Sequence, residues 1–297
     1  MTVQKPSARP RIAPAGLMFL AITSIGWGFN WPATKFLLGE LPPLTLRGTT
    51  GVIGAVLLAV LALIRAQSLH VESRLWPRLV LYAALNVTGW MVLMGLALLR
   101  LPASEAALIA YTMPVWASII AWPVLGERPT VLRTLGLVMA FAGLATIMGG
   151  NGIAASAEKA PGIIMALAGA FGFAVGTVFS KKYPIHLPPI TAAAWQIGIG
   201  CLPISIVGLL VETTHLDRIT TVGWWLLVYS TVVQFCIAYV SWFAALARLP
   251  ASVAAIGTMA VPVIGVVASA VALHEPLGPS QIVALLFTLA GVALATR

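Results

Sequence analysis

The chain has 297 residues, of which 60% are hydrophobic and only 8% charged, with a formal net charge of +9. A water-soluble domain carries about 25% charged residues; here there is too little polar surface to cover a soluble core, and the mean hydropathy of +1.00 points to a helical bundle solvated by lipid. The basic residues are scattered in small groups between apolar runs, which argues against a nucleic-acid-binding face.

Apolar runs near the length needed to cross the hydrocarbon fall in chain order at 15–38, 43–64, 77–98, 103–124, 131–149, 161–181, 189–210, 222–246, 251–272 and 279–296, after a tail at 1–14. The connections are short and polar, so any activity must sit among the helices. The first run reads as a retained helix rather than a signal peptide, because nine more follow and no small-residue cleavage site stands out. With the N-terminus inside, twelve basic residues fall on that side. Four (Lys35, Arg100, Lys159 and Arg218) fall on the other, and Arg47 lies within the second span. This asymmetry predicts that both termini are cytoplasmic. Cys201 and Cys236 sit in apolar runs without disulfide or metal-ligand spacing, and no metal or other cofactor is expected.

Polar and aromatic residues inside the spans carry the functional signal. In the first, "GWGFNWP" groups Trp27, Asn30 and Pro32; Pro32 should bend the helix, and Asn30 either caps that defect or faces a substrate. Arg47 could meet a carboxylate, but its place one turn from the helix start favours snorkelling to the membrane surface. Asn86 shares a helical face with Tyr82 and Trp90 at i±4. Tyr111, Trp195 with Gln196, and Gln234 with Tyr229, Tyr239 and Trp242 complete the set expected around a substrate cavity with aromatic walls and a few polar groups. Met94 and Met113 read as filler. Pro114 and Pro262 should kink the fourth and ninth helices and are candidate gating hinges. Glu127 and Glu275 end those helices and should fix loops or neighbouring helix N-termini. Gly48, Gly51, Gly54, Gly169, Gly172 and Gly176 have the spacing for close helix contact. No acid or His lies near mid-span, so neither a proton relay nor a membrane-embedded enzyme has its parts, and no phosphate-binding Gly-Lys-Ser/Thr loop supplies ATP as a motor.

One stretch appears twice. "LPASEAALIAYTMPVWASIIAWPVLGE" at 101–127 returns as "LPASVAAIGTMAVPVIGVVASAVALHE" at 249–275, 148 residues later, with Pro114/Pro262 and Glu127/Glu275 in register. Asn86 and Gln234 share that offset. The segment beginning "GFNWPATKF" at Gly28 likewise resembles "GFAVGTVFS" at Gly172. The chain thus reads as two five-helix copies, residues 15–149 and 161–297. Because five is odd, the second enters the membrane from the opposite side, the inverted plan of secondary transporters.

These segments, with "PPLTLRGTTGV" against "PPITAAAWQIG", resemble the drug/metabolite transporter superfamily, EamA branch, and within it bacterial exporters of aromatic and other neutral amino acids. The resemblance implies an all-α membrane protein of ten transmembrane helices in two inverted repeats, in the bacterial inner membrane. It further implies export of small metabolites through a central cavity by alternating access, not enzymatic activity. The expected partners are an amino-acid-like small molecule and the lipid bilayer, with no nucleic acid; oligomeric state stays open and a monomer is compatible. The alternatives are an exporter of lipophilic cations or drugs, a channel, or a membrane-embedded enzyme.

Overall fold

The computed structural model describes residues 14–126, 131–149, 152–249 and 258–295. The N-terminal tail, Glu127 and the first part of the ninth span lie outside them. Among the described residues the chain is all helical, with no strand. The helices are α1 (Pro14–Gly28, continued as Asn30–Leu37), α2 (Pro43–Ile64), α3 (Ser73–Arg100), α4 (Ala103–Leu125), α5 (Val131–Gly149), α6 (Gly152–Lys182), α7 (Pro189–Val211), α8 (Thr221–Leu246), α9 (Ala260–Ala272) and α10 (Pro279–Ala295). Six of these, α2, α3, α4, α6, α7 and α8, are long and apolar enough to cross a membrane. Side chains such as Ile64, Leu210 and Trp225 are more than 70% exposed on the outside of the bundle, where lipid replaces water.

Two helix starts differ from the sequence boundaries. α3 begins with a 3₁₀ turn at Ser73, and α6 runs from Gly152, well before 161. Proline accounts for most irregularities. α1 breaks at Phe29 because Pro32 has no N–H to give the Gly28 carbonyl. α4 breaks at Tyr111–Thr112, just before Pro114, and the Thr112 hydroxyl donates to the Ile109 carbonyl (2.7 Å). α9 departs from helix at Met259, three residues before Pro262. Gly126 after α4 and His274 after α9 both take left-handed backbone, φ +75° and +53°, the usual way to turn a chain out of a helix.

The middles of α3 and α8 are π-helical, at Ala84–Gly89 and Tyr229–Ile237. Both segments donate outward to a neighbouring helix. Thr88 Oγ1 donates to the Gly200 carbonyl of α7 (2.8 Å), and Cys236 Sγ to the Gly54 carbonyl of α2 (3.7 Å). Thr88 and Cys236 are 148 residues apart, as are Val87 and Phe235, whose side chains fill the space left by Gly200 and Gly54.

Helix pairing is governed by small residues. α2 lies along α7, where a Cβ on Gly48 would be 2.3 Å from the Ser205 backbone nitrogen and one on Gly208 2.6 Å from that of Thr45. Gly51, Gly54 and Gly176 are similarly crowded, Gly169 makes ordinary contact at 3.4 Å, and Gly172 faces open space, contrary to the expectation from spacing. α3 packs on α6 and α8 on α1; α4 packs on α6 and α9 on α1; α5 packs on α10. The first part of α4, Ala103–Ala110, is buried at every residue.

One end of the bundle is tied by charge. Glu275 accepts from the Ala103 and Ser104 backbone N–H groups (2.6 and 2.9 Å) and from the Ser104 hydroxyl (2.6 Å), capping α4 as expected of it. Glu212 does the same for α2 through Leu44 and Thr45, and Glu40 accepts from the Thr220 hydroxyl at the start of α8 (2.6 Å). Lys35 donates to the Leu98 and Leu101 carbonyls at the end of α3, and Lys159 pairs with the buried Glu105 (2.7 Å). Carboxylates at helix N-termini and an ammonium at a C-terminus satisfy both the orphan backbone groups and the helix dipoles. The opposite end is tied by neutral groups: Tyr82 donates to the Tyr183 carbonyl (2.8 Å), Thr191 to Ser68 (3.0 Å) and Trp195 Nε1 to Leu69 (2.9 Å).

Candidate substrate cavity

At mid-bundle, where α1, α2, α3, α4, α6, α8 and α9 meet, lies a cavity of about 170 Å³. α1 contributes Trp27, Asn30 and Trp31, and α2 contributes Arg47. α3 contributes Trp90, Met91 and Met94, and α4 adds Tyr111 and Met113. Phe173, Gln234, Tyr239 and Val261 close the wall from α6, α8 and α9. The breaks in α1 and α4 fall at the level of the cavity, and the carbonyl that Pro32 frees belongs to buried Gly28. Two larger clefts, of about 400 and 630 Å³, lie elsewhere along α1, α2, α7, α8 and α9, the smaller almost wholly apolar and the larger carrying a group of threonines.

The aromatic wall is ordered. Trp27 meets Tyr239 edge-on at 5.4 Å between ring centroids and leans against Trp242 at 5.9 Å; Trp90 meets Phe173 edge-on at 5.5 Å. Polar groups are few. Asn30 accepts from the Thr34 hydroxyl (3.4 Å), while Gln234, 7% exposed, keeps a buried Oε1 with no partner. Arg47 is 5% exposed and its Nε is also without a partner. Its stem runs past Gly95 of α3, where a Cβ would be 3.6 Å from Arg47 Cγ. Arg47 does not snorkel: it is buried and its side chain lines the cavity.

Of the residues singled out from sequence, Asn30, Trp90, Tyr111, Gln234 and Tyr239 come together on this cavity. Trp242 stands behind Trp27. Asn86 points to α6, so close to Gly176 that a Cβ there would meet its Oδ1 at 1.9 Å. Tyr82, Asn86 and Trp90 do share one face, but it lies along α6, against Phe179, Gly176 and Phe173 in turn, and only Trp90 reaches the cavity. Tyr82 clasps the end of α6 through Phe179 and Tyr183. Trp195 packs on Trp76 (5.1 Å) and bonds Leu69, and neither it nor half-buried Gln196 lines the cavity. Tyr229 donates to the Gly26 carbonyl (2.8 Å). Pro114 and Pro262 sit at the interruptions of α4 and α9. Trp27, Trp31, Met91, Phe173 and Val261 were not among the sequence candidates for the cavity, although Trp27 and Trp31 flank Asn30 at i, i+4. Arg47 carried a usable signal, being the one charge well inside a span.

A lipid-solvated helical bundle with an aromatic-walled cavity at mid-depth has the build of a membrane transporter. The sequence profile of the EamA-like transporter family matches residues 14–149 and again 160–297, and the chain belongs to this family. It is 32% identical over 281 residues to the uncharacterized transporter YvbV of Bacillus subtilis, covering 93% of this chain and 90% of that one. It is 27% identical over 289 residues to a probable amino-acid metabolite efflux pump of Salmonella typhimurium, covering 92% of each. It is also 25% identical over 262 residues to the aromatic amino acid exporter YddG of Ancylobacter novellus, covering 87% and 89%. One solved crystal structure matches with a TM-score of 0.70 at 22% identity, over 94% of this chain and 96% of that one, a likeness of fold.

Proposed function

We propose that this protein exports small neutral amino acids, aromatic ones among them, across the bacterial inner membrane by alternating access. In this reading residues 15–149 and 161–297 are inverted five-helix repeats, ten spans in all, with both termini cytoplasmic. The observation that carries it is the cavity itself, to which α1, α2, α3 and α4 of the first half and α6, α8 and α9 of the second contribute. The matched π turns in α3 and α8, with Thr88 and Cys236 bonding equivalent glycines, support a two-fold relation between the halves. So does the paired packing of α3 on α6 and α8 on α1. Such a relation lets one sequence adopt two nearly equivalent packings, each opening the cavity to one side. Pro114 and Pro262 are the hinges, and Asn30, Trp90, Tyr111, Gln234 and Tyr239 contact substrate.

The amino-acid efflux named for the Salmonella and Ancylobacter relatives points the same way. A lipophilic cation is disfavoured because the cavity's one charged side chain is positive. The test is efflux of labelled neutral amino acids from proteoliposomes, with and without a pH gradient. Efflux without the gradient is expected, and Gln234→Leu should slow it with the protein folded. Failure to move any neutral amino acid overturns the proposal.

A further inference from the structure

The cavity holds a buried guanidinium that the protein itself does not neutralise. A charge at membrane depth is ordinarily paired or faces water, and a buried charge left alone is strongly destabilising. Every described acid is engaged elsewhere or stands on the surface. Glu40, Glu212 and Glu275 cap α8, α2 and α4; Glu105 pairs with Lys159; Glu72 pairs with Arg74. Glu158 and Asp217 are exposed. None lines the cavity. The same cavity holds a second orphan of opposite character, the buried Gln234 Oε1, an acceptor without a donor.

We propose that Arg47 is the anion subsite of the cavity and that the transported molecule carries a carboxylate seated on its guanidinium. The inference rests on the reading that this cavity holds the substrate, and adds to it the residue on which the substrate's carboxylate is seated. A guanidinium suits the task because its planar fork matches both carboxylate oxygens. An α-amino group on the same molecule finds the Gln234 acceptor and the electron-rich faces of Trp27 and Tyr239. An apolar side chain then lies against Trp90 and Met94. A zwitterion answers both orphans; a simple amine answers only one and meets the positive charge of Arg47.

The test uses purified full-length protein in lipid nanodiscs. Ligand-induced thermal stabilisation is measured for phenylalanine, 3-phenylpropionate, phenylalaninamide and 2-phenylethylamine, and for the leucine counterparts. Wild-type protein should bind the two carboxylates at least tenfold more tightly than the amide or amine, the scale of a lost charge-assisted pair. Arg47→Gln should abolish that preference and Arg47→Lys keep part of it. Ligand-free R47Q should melt no lower than wild type, since it removes an uncompensated charge; an Arg47 held for structure alone would give a lower melt. Equal binding of acid and amide by wild type, no binding of any carboxylate, or a preference that survives in R47Q overturns the inference. Carboxylates that bind selectively yet are never moved in proteoliposomes would leave the anion subsite standing and sink the export reading instead.

Discussion

Gly48 and Gly172 look alike in the sequence, both small residues on apolar helices, yet replacing each with alanine should have opposite effects. A Cβ at 48 would stand 2.3 Å from the Ser205 nitrogen and 2.4 Å from its Cα. Non-bonded carbons settle at about 3.5 Å or more, so α2 and α7 would have to part by roughly 1.2 Å, the difference between 3.5 and 2.3 Å. The obstacle is helix backbone, which cannot rotate aside as a side chain can. Overpacking of this kind costs about 1–3 kcal/mol, and the better helix propensity of alanine returns at most about 1 kcal/mol. Gly48→Ala should therefore be destabilising by about 1–2 kcal/mol. At Gly172 nothing lies within 4 Å, so Gly172→Ala should keep only the propensity gain. Thermal unfolding in detergent, followed by circular dichroism, should place G48A below wild type and G172A at or above it. A G48A protein that melts with wild type, or a G172A protein that falls as far as G48A, would refute the packing argument. Adding Gly208→Ala to Gly48→Ala should cost less than the sum, because one separation of the helices relieves both clashes.

Three further outcomes are expected. Glu275→Ala removes three acceptor contacts from the first turn of α4 and should cost about 1–2 kcal/mol in thermal unfolding, with Glu275→Gln milder because an amide oxygen still accepts. His274→Gly should raise the melting temperature, since a left-handed φ of +53° costs a side-chain-bearing residue about 1 kcal/mol. Lys159→Met should destabilise by roughly 3 kcal/mol by leaving Glu105, its side chain 3% exposed, as a lone buried charge; adding Glu105→Leu should recover most of that, as a double-mutant cycle would show.

The helical runs, the places where α1, α4 and α9 break, and the capping role of Glu275 were all legible in the sequence. They follow from local chemistry: apolar length, prolines without an N–H, a carboxylate just past a helix end. What could not be read depended on partners distant in sequence. Arg47 faces a cavity formed where helices from across the bundle converge, and nothing near position 47 announces that. Asn86 keeps the face it shares with Tyr82 and Trp90, but the close approach of α6 at Gly176 covers it, and nothing near position 86 marks that approach. Glu212 and Glu40 cap α2 and α8 across more than 160 residues of chain, which spacing alone does not reveal. Gly172 had the right spacing but no helix opposite.

Among the described residues the carboxylate caps gather at one end of the bundle. Glu40 and Glu212 join α1–α2 to α7–α8, and Glu275 joins α9–α10 to α4, so that end cannot part without freeing all three at once. In an alternating-access cycle their strengths combine into a single bias: each 1.4 kcal/mol they contribute reduces the fraction of empty molecules open to that side by about tenfold. A solute approaching from there would find few receptive copies. The acids thereby set from which side an empty molecule more readily takes its solute, while the solute's own gradient still sets the direction of net flux.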